Sequence, residues 1–459
     1  MPGFSMSLAE IMRATSASVL RERETVFSDI TTDTRKIGPG ALFVALKGER
    51  FNGEDFARQA AEAGAAGVLV SEGCAPGNIE GLEVPVLRVA DTLSAYQAIA
   101  KAWRMRFDIP VVAITGSNGK TTTKDLTASV LGARFPVLKT EANFNNEIGL
   151  PMTLLSLRQE HRAAVVEIGM RGLGQIEALA PMAAPSVGVV TNVGETHIEL
   201  LGSIENIARA KGEMVEAIRA GGTVVLNADN PYVAAMREKA APGVRVVTFG
   251  ESEGADVRGT DIVSEGFGMR FRASFAGGVK QDYTLPLAGR HNVSNALAAL
   301  AVGWTLGLSP EETAAGLASP AMSGQRFACE KRGDYMIVND AYNASPMSMA
   351  AAIETLKDVA AGRRVAVLGD MLELGDHAKA AHRRVGELLA ASGAAVLVTR
   401  GALGEEIAAG AEAAGMKEVH RCASHEEAAD VLRHILRAGD TVLFKGSHGM
   451  QMDKIIELL

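Results

Sequence analysis

Short runs of aliphatic and β-branched residues alternate with segments of helical periodicity along most of the chain. In its middle part, the runs that predict strands, most of them followed by a helix, are residues 111–115, 164–168, 186–191, 223–226 and 245–249. Such an alternation is typical of a doubly wound, mostly parallel sheet with helices on its faces. The alternating residues at 269–275 predict an antiparallel hairpin or small edge sheet, and the uncharged run 292–310 predicts a buried helix.

The two ends of the chain predict separate domains. Residues 1–88 predict a small α/β domain with an alanine-rich helix at 55–63 and strands at 41–46, 67–70 and 84–89. From about residue 321 the alternation starts again, with strands predicted at 335–338, 365–368, 394–398 and 441–444 and helices at 348–357 and 380–390. This last part predicts a Rossmann-like domain. We therefore predict an α/β fold of three domains, at residues 1–88, 89–320 and 321–459.

Composition narrows the possible functions. At 459 residues, with 47% hydrophobic and 22% charged residues, the chain is neither disordered nor small enough for one hydrophobic core. Its net charge of −8 is the wrong sign for a protein that covers nucleic-acid phosphates, so we expect no nucleic-acid partner. The distant cysteines, Cys74, Cys329 and Cys422, indicate neither a disulfide framework nor a zinc site, and a reducing compartment is expected.

Targeting and membrane segments are not predicted. The first 25 residues mix charges with short apolar pieces, and so lack the basic start and unbroken apolar centre of a signal peptide. The run 292–310 has too short an apolar centre to span a bilayer. We expect a cytoplasmic protein without a membrane partner, and we expect a monomer.

The strongest local signal lies at residues 111–122, which combine a buried strand, a glycine-rich turn and a helix that opens with Lys-Thr-Thr. In such an arrangement, backbone N–H groups and the helix N-terminus surround phosphate oxygens. Lys120 would lie near the β- and γ-phosphates, and the Thr121 hydroxyl could bind Mg²⁺. The segment departs from the usual G-x-x-x-x-G-K-[ST] pattern because position 114 is Ile. Its place directly after a strand favours a nucleotide site, in a P-loop-type central domain, over an ordinary helix N-terminus.

Three further residues follow neighbouring strands of the same predicted sheet. Glu167 ends a strand, where its carboxylate could bind Mg²⁺ as a Walker-B acid does, although a helix cap or an exposed glutamate is the more common role. His197 lies on the loop after the next strand, and Lys211 lies on the helix after that loop. Taken alone, each of these two would be an ordinary solvated residue.

Taken in order along the chain, several motifs resemble those of the Mur ligases, the ATP-dependent ligases of peptidoglycan synthesis. They are Thr115-Gly-Ser-Asn-Gly-Lys-Thr-Thr, Glu167-Ile-Gly-Met, Thr191-Asn-Val-Gly-Glu-Thr-His197, Ala210-Lys211-Gly-Glu and Gly289-Arg-His-Asn292-Val-Ser-Asn295-Ala. The shortened phosphate loop is the form that this family uses. The segments that most resemble the members adding D-alanyl-D-alanine to UDP-MurNAc-tripeptide are residues 143–151, 339–346, 368–375 and Lys445-Gly-Ser. The likeness extends from about residue 28 to the end of the chain.

The resemblance implies a ligase that works through an acyl-phosphate intermediate, with ATP and two Mg²⁺ ions in the closed complex. Lys120 and Thr121 would hold the ATP phosphates and the first Mg²⁺, and Glu167 would be a further metal ligand. His197 would bind the second Mg²⁺, between the γ-phosphate and the acceptor carboxylate. Lys211 would be carbamylated by CO₂, and so become an anion that orients the second metal or its waters.

The resemblance also implies which residues meet the substrates. The loop residues expected around ATP are Gly116, Ser117, Asn118, Gly119, Lys120, Thr121 and Thr122. Asn292 and Asn295 would lie near the adenine, Arg326 near the phosphates and Asp340 near the ribose. The residues expected to bind the UDP sugar are Ser28, Thr31, Asp33, Arg35 and Asn52. Those expected to meet the sugar-peptide are Asn143, Asn145 and Asn146, and Tyr342 and Asn343 are further substrate-binding candidates.

Two alternatives stay open at this point. One is another ligase of the same superfamily, adding an amino acid to UDP-MurNAc-dipeptide or glutamate to folate; the segments that start at Asn143 and Tyr342 favour the dipeptide-adding members instead. The other is a nucleotide-gated regulatory protein, which would need neither His197 nor Lys211. The sequence also leaves open whether the tripeptide ends in meso-diaminopimelate or lysine, and which group deprotonates the incoming amine.

Overall fold

The computed structural model describes residues 3–48, 51–323 and 328–459. These residues form helices and mostly parallel sheets, which confirms the predicted α/β class. Within the described ranges, no helix is both long and apolar enough to cross a membrane.

The N-terminal elements, in chain order, are β1 (Met6–Ser7), α1 (Leu8–Thr15), β2 (Ser18–Leu20), β3 (Val26–Phe27), β4 (Asp29–Thr31), β5 (Ala41–Val44), α2 (Ala57–Glu62), β6 (Gly67–Ser71), α3 (Pro76–Ile79), β7 (Val86–Val89) and α4 (Thr92–Arg104). Five strands form a sheet in the order β2-β7-β6-β5-β4. All its pairs are parallel except β2 with β7, and β1 pairs antiparallel with β3 outside it. The strands β1–β4 were not predicted, because two or three residues are too short a run to show a period.

The central elements are β8 (Val111–Thr115), α5 (Lys120–Gly132), β9 (Val137–Lys139), α6 (Gly149–Leu155), β10 (Ala163–Glu167), α7 (Gln175–Ala183), β11 (Val187–Val190), α8 (Ile198–Leu201), α9 (Ile204–Glu216), β12 (Thr223–Asn227), α10 (Pro231–Ala235), β13 (Arg245–Gly250), β14 (Val257–Glu265), β15 (Gly268–Phe275), β16 (Lys280–Leu285), α11 (Arg290–Thr305) and α12 (Pro310–Ala318). Nine strands form one sheet in the order β16-β15-β14-β13-β12-β11-β8-β10-β9. The pair β9–β10 and the run from β11 to β14 are parallel, and β14, β15 and β16 are antiparallel. The antiparallel edge and the buried helix α11 confirm two of the sequence predictions.

The C-terminal elements are β17 (Ala328–Arg332), β18 (Tyr335–Asp340), α13 (Pro346–Val359), β19 (Arg364–Gly369), α14 (Ala378–Ala391), β20 (Val396–Arg400), α15 (Gly404–Ala413), β21 (Glu418–Cys422), α16 (His425–Ile435), β22 (Thr441–Lys445) and α17 (Asp453–Leu458). Their sheet has the order β17-β18-β22-β19-β20-β21, in which only β17 runs antiparallel. The last strand, β22, therefore lies between β18 and β19, and its end meets the ends of both.

By packing, the chain divides into two compact units. Residues 1–113, 135–168 and 178–185 form the first, and residues 114–134, 169–177 and 186–459 form the second. The phosphate loop, His197, Lys211 and the C-terminal elements belong to the second unit, whereas Glu167 and the N-terminal elements belong to the first. Every residue of β8, β10, β11 and β12 is buried, as expected for strands covered by helices on both faces.

Candidate functional site

The phosphate loop, residues 116–119, has a backbone conformation that requires glycine at both ends. Gly116 follows β8 with φ +150°, and Gly119 precedes α5 with φ +78°, which are values that other residues rarely adopt. A Cβ on Gly116 would lie 1.9 Å from Thr191 Oγ1, and one on Gly119 would lie 2.4 Å from Asn295 Oδ1. Close packing therefore adds a second reason for glycine at each position.

The loop that follows β11 holds the phosphate loop in place. The Ser117 N–H donates to Asn192 O at 2.9 Å, and the Gly194 N–H donates to Ser117 Oγ at 2.9 Å. The side-chain amide of Asn192 makes two hydrogen bonds to the backbone of Asn118. The Asn118 N–H donates to Asn192 Oδ1 at 2.9 Å, and Asn192 Nδ2 donates to the Asn118 carbonyl at 3.0 Å. Thr191 Oγ1 donates to the same carbonyl at 2.7 Å. The phosphate loop is thus pre-formed by the protein itself.

Lys120 and the first turn of α5 supply the groups that phosphate oxygens require. Lys120 Nζ donates to Gly116 O at 2.9 Å and to Ser117 O at 3.3 Å, so the ammonium lies against the loop. Thr121 and Thr122 are buried in the first helical turn. Helix N-termini attract anions through their unpaired N–H groups and the helix dipole. This arrangement can therefore bind the phosphates of a nucleotide.

Lys211 is not the solvated lysine that its local sequence alone would predict. It lies in α9 and is only 2% exposed. Burial lowers the pKa of Lys211 well below its usual range, and the charge of Lys120 lowers it further. The neutral form of the amine is therefore more accessible at this position than in a solvated lysine.

His197 is held by a carboxylate of the C-terminal elements. It precedes α8 with a left-handed backbone, φ +58°. Its Nδ1 is hydrogen-bonded to Glu373 Oε2, and Glu373 Oε1 lies 3.3 Å from an Arg171 guanidinium nitrogen. Burial lowers the pKa of His197, and Glu373 opposes that effect. The other ring nitrogen, Nε2, makes no hydrogen bond to the described residues and is left for another partner.

Glu167, in the first compact unit, lies at the end of β10 and is buried. Its carboxylate accepts from Asn145 Nδ2 at 2.7 Å, so two predicted site residues are in contact. Asn146 Oδ1 accepts from the Gly149 N–H at 2.9 Å, at the start of α6. Asn143 is exposed. Asn145 therefore positions Glu167, whereas Asn146 has a local structural role.

Asn292 and Asn295 are buried near the start of α11. Asn295 Oδ1 accepts from Thr123 Oγ1 at 3.2 Å, and Asn295 Nδ2 donates to Asn292 Oδ1 at 3.1 Å. Asn292 Nδ2 donates in turn to Ala288 O at 2.7 Å. These bonds link α11 to α5, the helix that begins at the phosphate loop. Contact of either side chain with adenine stays a prediction.

The C-terminal candidates surround the end of β18. Asp340 pairs with Lys445 Nζ at 2.5 Å, and the buried Lys445 also donates to Asn343 O at 3.0 Å. Ser345 Oγ donates to Asn118 Oδ1 at 2.9 Å, which joins this segment to the phosphate loop.

Two other C-terminal candidates need separate mention. The Tyr342 ring lies 5.7 Å from the ring of His448, between centroids. Arg326 lies outside the described residues, so its predicted place near the phosphates stays a prediction.

The N-terminal candidates mostly bond to close neighbours. Asp33 accepts two bonds from the Arg35 guanidinium, at 2.9 and 2.8 Å. Hydrogen bonds from the Arg35 side chain and N–H lower the pKa of Asp33 to about 2. Thr31 Oγ1 donates to Asp33 O at 3.2 Å, and Asn52 Oδ1 accepts from the N–H two residues later at 3.3 Å. Ser28 Oγ donates to a carbonyl in the 38–40 turn at 3.1 Å.

Several residues that the sequence did not single out position those that it did. Besides Asn192, Ser345, Glu373 and Lys445, this group includes Glu213, which accepts N–H bonds at the start of α7 at 2.6, 3.1 and 3.0 Å. All five lie inside the motifs quoted above, which was the available signal. Their partners lie far away in the chain, so sequence spacing could not assign them a role.

Three family models match successive parts of the chain. The one described as Mur ligase family, catalytic domain, matches residues 26–104; Mur ligase middle domain matches 114–303; and Mur ligase, glutamate ligase domain, matches 325–448. The UDP-N-acetylmuramoyl-tripeptide–D-alanyl-D-alanine ligase of Bacillus subtilis (strain 168) is 38% identical over 456 residues, which cover 98% of this chain and 97% of the relative.

Solved structures agree over the same length. MurF from Acinetobacter baumannii superposes with a TM-score of 0.91 at 31% identity and covers 100% of this chain and 99% of its own. The MurF ligase from Thermotoga maritima, solved in complex with ADP, has a TM-score of 0.83 at 27% identity, with 94% and 96% covered. This chain therefore belongs to the Mur ligase family and has its three-domain fold.

Proposed function

We propose that this protein joins D-alanyl-D-alanine to UDP-N-acetylmuramoyl-tripeptide and converts ATP to ADP and phosphate. The observation that carries the proposal combines three features. The phosphate loop is pre-formed, and it is bonded to the loop that leads to His197. Lys120 is also close enough to the buried Lys211 for its charge to lower the pKa of that lysine. A phosphate-binding switch would need only the first of these features. The ligase relatives and the ADP complex of the Thermotoga maritima protein support the same reaction.

The reaction has to make a carboxylate reactive towards an amine. A carboxylate oxygen attacks the γ-phosphorus, the bond to the β,γ-bridging oxygen breaks, and ADP leaves. The amine of D-alanyl-D-alanine then attacks the carbonyl carbon of the acyl phosphate, loses a proton and expels phosphate. Two unit charges at 4 Å repel by roughly 4 kcal/mol at an effective dielectric of 20, so the site must neutralise the approaching anions.

Lys120 is the proposed source of that neutralisation within the chain. Its ammonium already lies against the phosphate loop, where it would exchange carbonyl oxygens for phosphate oxygens. The N–H groups at the start of α5, in residues 119–122, would bind the remaining phosphate oxygens. Asp340 is the proposed ribose contact, and its pairing with Lys445 holds the carboxylate in a fixed direction.

The residues proposed as Mg²⁺ ligands are Thr121, Glu167 and His197. No group of three or more His, Cys, Asp or Glu among the described residues could hold a metal by itself. That fits Mg²⁺ in nucleotide sites, which keeps several waters and phosphate oxygens and takes only one or two protein ligands. Bound Mg²⁺ would neutralise charge on the phosphate and carboxylate oxygens.

Lys211 is the proposed site of carbamylation. In its neutral form, which burial favours, the amine can attack the carbon of CO₂, forming an N–C bond and releasing one proton, which leaves a carbamate with one negative charge. An ammonium at this place would repel Mg²⁺, whereas carbamate oxygens suit a hard cation. The modification would thus replace an unfavourable charge by a favourable one.

Other sequence predictions stay part of the proposal. UDP-sugar binding by Ser28, Thr31, Asp33, Arg35 and Asn52 is supported by their grouping in the N-terminal elements. Domain boundaries near residues 88 and 320 are retained from the strand and helix pattern. A cytoplasmic location is supported by the two nucleotide substrates of the proposed reaction. The monomeric state is an untested prediction.

Product analysis tests the proposal. The protein is incubated with ATP, Mg²⁺, D-alanyl-D-alanine and UDP-MurNAc-tripeptide carrying either meso-diaminopimelate or lysine, and each component is omitted in turn. We expect the UDP-pentapeptide by mass spectrometry only in complete mixtures, in equal amount to the released phosphate. Steady phosphate release without both co-substrates would favour the regulatory protein, and product with a single amino acid in place of the dipeptide would favour another ligase.

A further inference from the structure

Glu373 occupies a place that the reaction described so far does not explain. It lies on the loop 370–375, after β19, in the part of the chain matched by the C-terminal family model. Its two carboxylate oxygens are divided between His197 Nδ1 and Arg171, both from the part matched by the middle-domain model. The side chain of Glu373, in one domain, thus contacts an imidazole and a guanidinium group of another domain.

The loop that carries Glu373 is held firmly from within its own domain. The Met371 N–H donates to Nε2 of the fully buried His382 at 2.8 Å. The Leu372 N–H donates to Ser447 Oγ at 2.9 Å, and the Ser447 N–H donates to Asp370 O at 2.9 Å. The backbone that leads to Glu373 is therefore held by α14 and by the segment that follows β22.

The same loop also fits closely against the segment of His197. The Glu199 N–H, in α8, donates to Glu373 O at 3.4 Å. A Cβ on Gly375, where φ is +49°, would lie 3.3 Å from Glu199 Cβ. The side chain of Glu373 therefore contacts His197, just before α8, and its backbone contacts Glu199, in the first turn of α8.

A hydrogen bond to a carboxylate fixes which nitrogen of an imidazole carries the proton. A carboxylate oxygen accepts, so in neutral His197 the proton lies on Nδ1 and the lone pair on Nε2, and the bond to Glu373 restrains the ring. This is how carboxylates behind metal-binding histidines orient the ring and raise its basicity. Without such a partner, His197 can take either tautomer and can rotate.

We propose that Glu373 is the positioning residue of His197, which holds the ring with Nε2 directed to the second metal only while the C-terminal domain lies against the middle domain. Glu373 touches neither substrate nor metal, so its role is to couple the approach of the two domains to assembly of the metal site. The inference rests on the proposed function for the role of His197 as a metal ligand. The tautomer of His197, in contrast, is independent of that function.

A purely structural ion pair is the simpler explanation, and the chain offers a matched control for it. Arg384, in α14, lies 3.5 Å from Glu195, two residues before His197, and so links the same two domains without contacting His197. Both pairs are partly exposed, and exposed pairs contribute little to stability. Arg384→Ala therefore removes a comparable link between domains but leaves the imidazole partner in place.

The test compares Glu373→Ala, Glu373→Gln and Arg384→Ala with the unmodified protein. Mn²⁺ binding is followed by electron paramagnetic resonance with a non-hydrolysable ATP analogue, AMP-PNP, present, the affinity for AMP-PNP is measured separately, and the His197 tautomer is read from ¹⁵N NMR of histidine-labelled protein without substrates, using His197→Gln for assignment. We expect Glu373→Ala to weaken Mn²⁺ binding at the second site about 10- to 100-fold, with unchanged AMP-PNP affinity, and to lose the Nδ1–H tautomer. Glu373→Gln, which keeps an oxygen acceptor, should lie between.

Three outcomes decide the proposal. Unchanged Mn²⁺ affinity and an unchanged tautomer in both Glu373 variants would overturn it. An equal loss of Mn²⁺ affinity in Arg384→Ala would also overturn it, because any link between the domains would then suffice. A protein that retains the Nδ1–H tautomer and its dependence on Glu373, but makes no UDP-pentapeptide, would contradict the proposed function and leave the positioning role intact.

Discussion

The phosphate loop and the N-terminal sugar-binding candidates are built in opposite ways. Ser117 and Asn118 bond to partners 77 and 227 residues away, and these partners come from different domains. Asp33 bonds to Arg35, and Asn52 to the N–H two residues later. Long-range bonds form only in the folded protein, whereas bonds between near neighbours need only a short turn.

The difference indicates how each region recognises its ligand. A loop held by distant partners presents its N–H groups in a fixed arrangement, and such preorganised groups stabilise the charge of a transition state. A side chain such as Arg35, which is 86% exposed, can leave its neighbour and turn towards a bound phosphate. Changes at the phosphate loop should therefore lower turnover, and changes at the N-terminal candidates should raise the KM of one substrate.

The largest effect is expected for Lys120→Ala. Turnover should fall about a thousandfold or more, because the lost charge acts on the phosphoryl group during transfer. The unfolding temperature should stay nearly unchanged, since a phosphate-binding lysine acts on the charge that develops in the reaction and not on the packing of the core. Phosphate release and thermal unfolding are the measurements, with Lys280→Ala, an exposed lysine of the same sheet, as the control. Near-normal turnover would remove Lys120 from the site.

Lys211→Ala should lower turnover about a hundredfold or more, because the carbamate is lost. Formate or acetate should restore part of the activity by supplying an anion at the vacated place. Lys120→Ala is the matched control, since a missing cation cannot be replaced by acetate. Carbamylation itself is measured by ¹³C NMR after exposure to ¹³CO₂. Full activity of Lys211→Ala, or no ¹³C signal in the unmodified protein, would contradict the carbamate role.

Asp340→Asn should weaken ATP binding about 10- to 100-fold, the usual loss for a charged hydrogen bond. This variant extends the comparison of the two regions to a third, because Asp340 lies in the C-terminal domain yet is expected to contact the nucleotide. It also leaves the buried Lys445 without its carboxylate, so thermal unfolding must be measured together with ATP affinity. Asp334→Asn is the control, because Asp334 comes just before β18, the strand that ends at Asp340. Unchanged ATP affinity would exclude the ribose contact.

The smallest effect is expected for Arg35→Ala. The KM for the UDP-sugar substrate should rise several-fold, within the range of about tenfold for one exposed ionic contact, while the KM for ATP stays the same. Arg21→Ala, an exposed arginine paired with Glu83 in the same domain, is the control. A fall in turnover at saturating substrate would contradict the proposed difference between the phosphate loop and the N-terminal candidates.

The pH dependence of that KM adds a check on the Asp33–Arg35 pair. The pKa of Asp33 is lowered to about 2 in the folded protein, so its contribution to stability is complete above the ordinary value and is lost as the pH falls through about 2. The pair should therefore stay charged throughout the range in which the enzyme can be assayed. If the KM of the unmodified protein for the UDP-sugar substrate changed near neutral pH because Asp33 took up a proton, this expectation would be wrong.

The sequence predicted those parts of the molecule that depend on local patterns. The strand 111–115 and the helix that follows it were placed correctly because a buried strand is uniformly apolar and the glycines mark the turn between them. The antiparallel strands around β15 were expected from their alternation. β21, with the sequence Glu-Val-His-Arg-Cys, was missed because an edge strand of polar residues carries no such pattern.

The sequence was enough to propose which residues form the candidate site, but not to predict how these residues contact one another. Lys120 could be assigned from chemistry, because a lysine after a glycine-rich turn has few other roles. The burial of Lys211 could not, since it depends on how α9 packs. The partnership of Glu373 with His197 spans 176 residues and two domains, and no spacing rule connects them. Long-range side-chain contacts of this kind follow from the fold alone.

Isotope transfer tests the central claim, that ATP activates the carboxylate by phosphoryl transfer. UDP-MurNAc-tripeptide is labelled with ¹⁸O in its acceptor carboxylate and converted with ATP and D-alanyl-D-alanine in ordinary water. We predict that each released phosphate carries one ¹⁸O from that carboxylate, because the oxygen bonds to phosphorus when the carboxylate attacks and stays with it when the C–O bond of the acyl phosphate breaks. Phosphate without ¹⁸O, whose new oxygen comes from the solvent, would contradict the account.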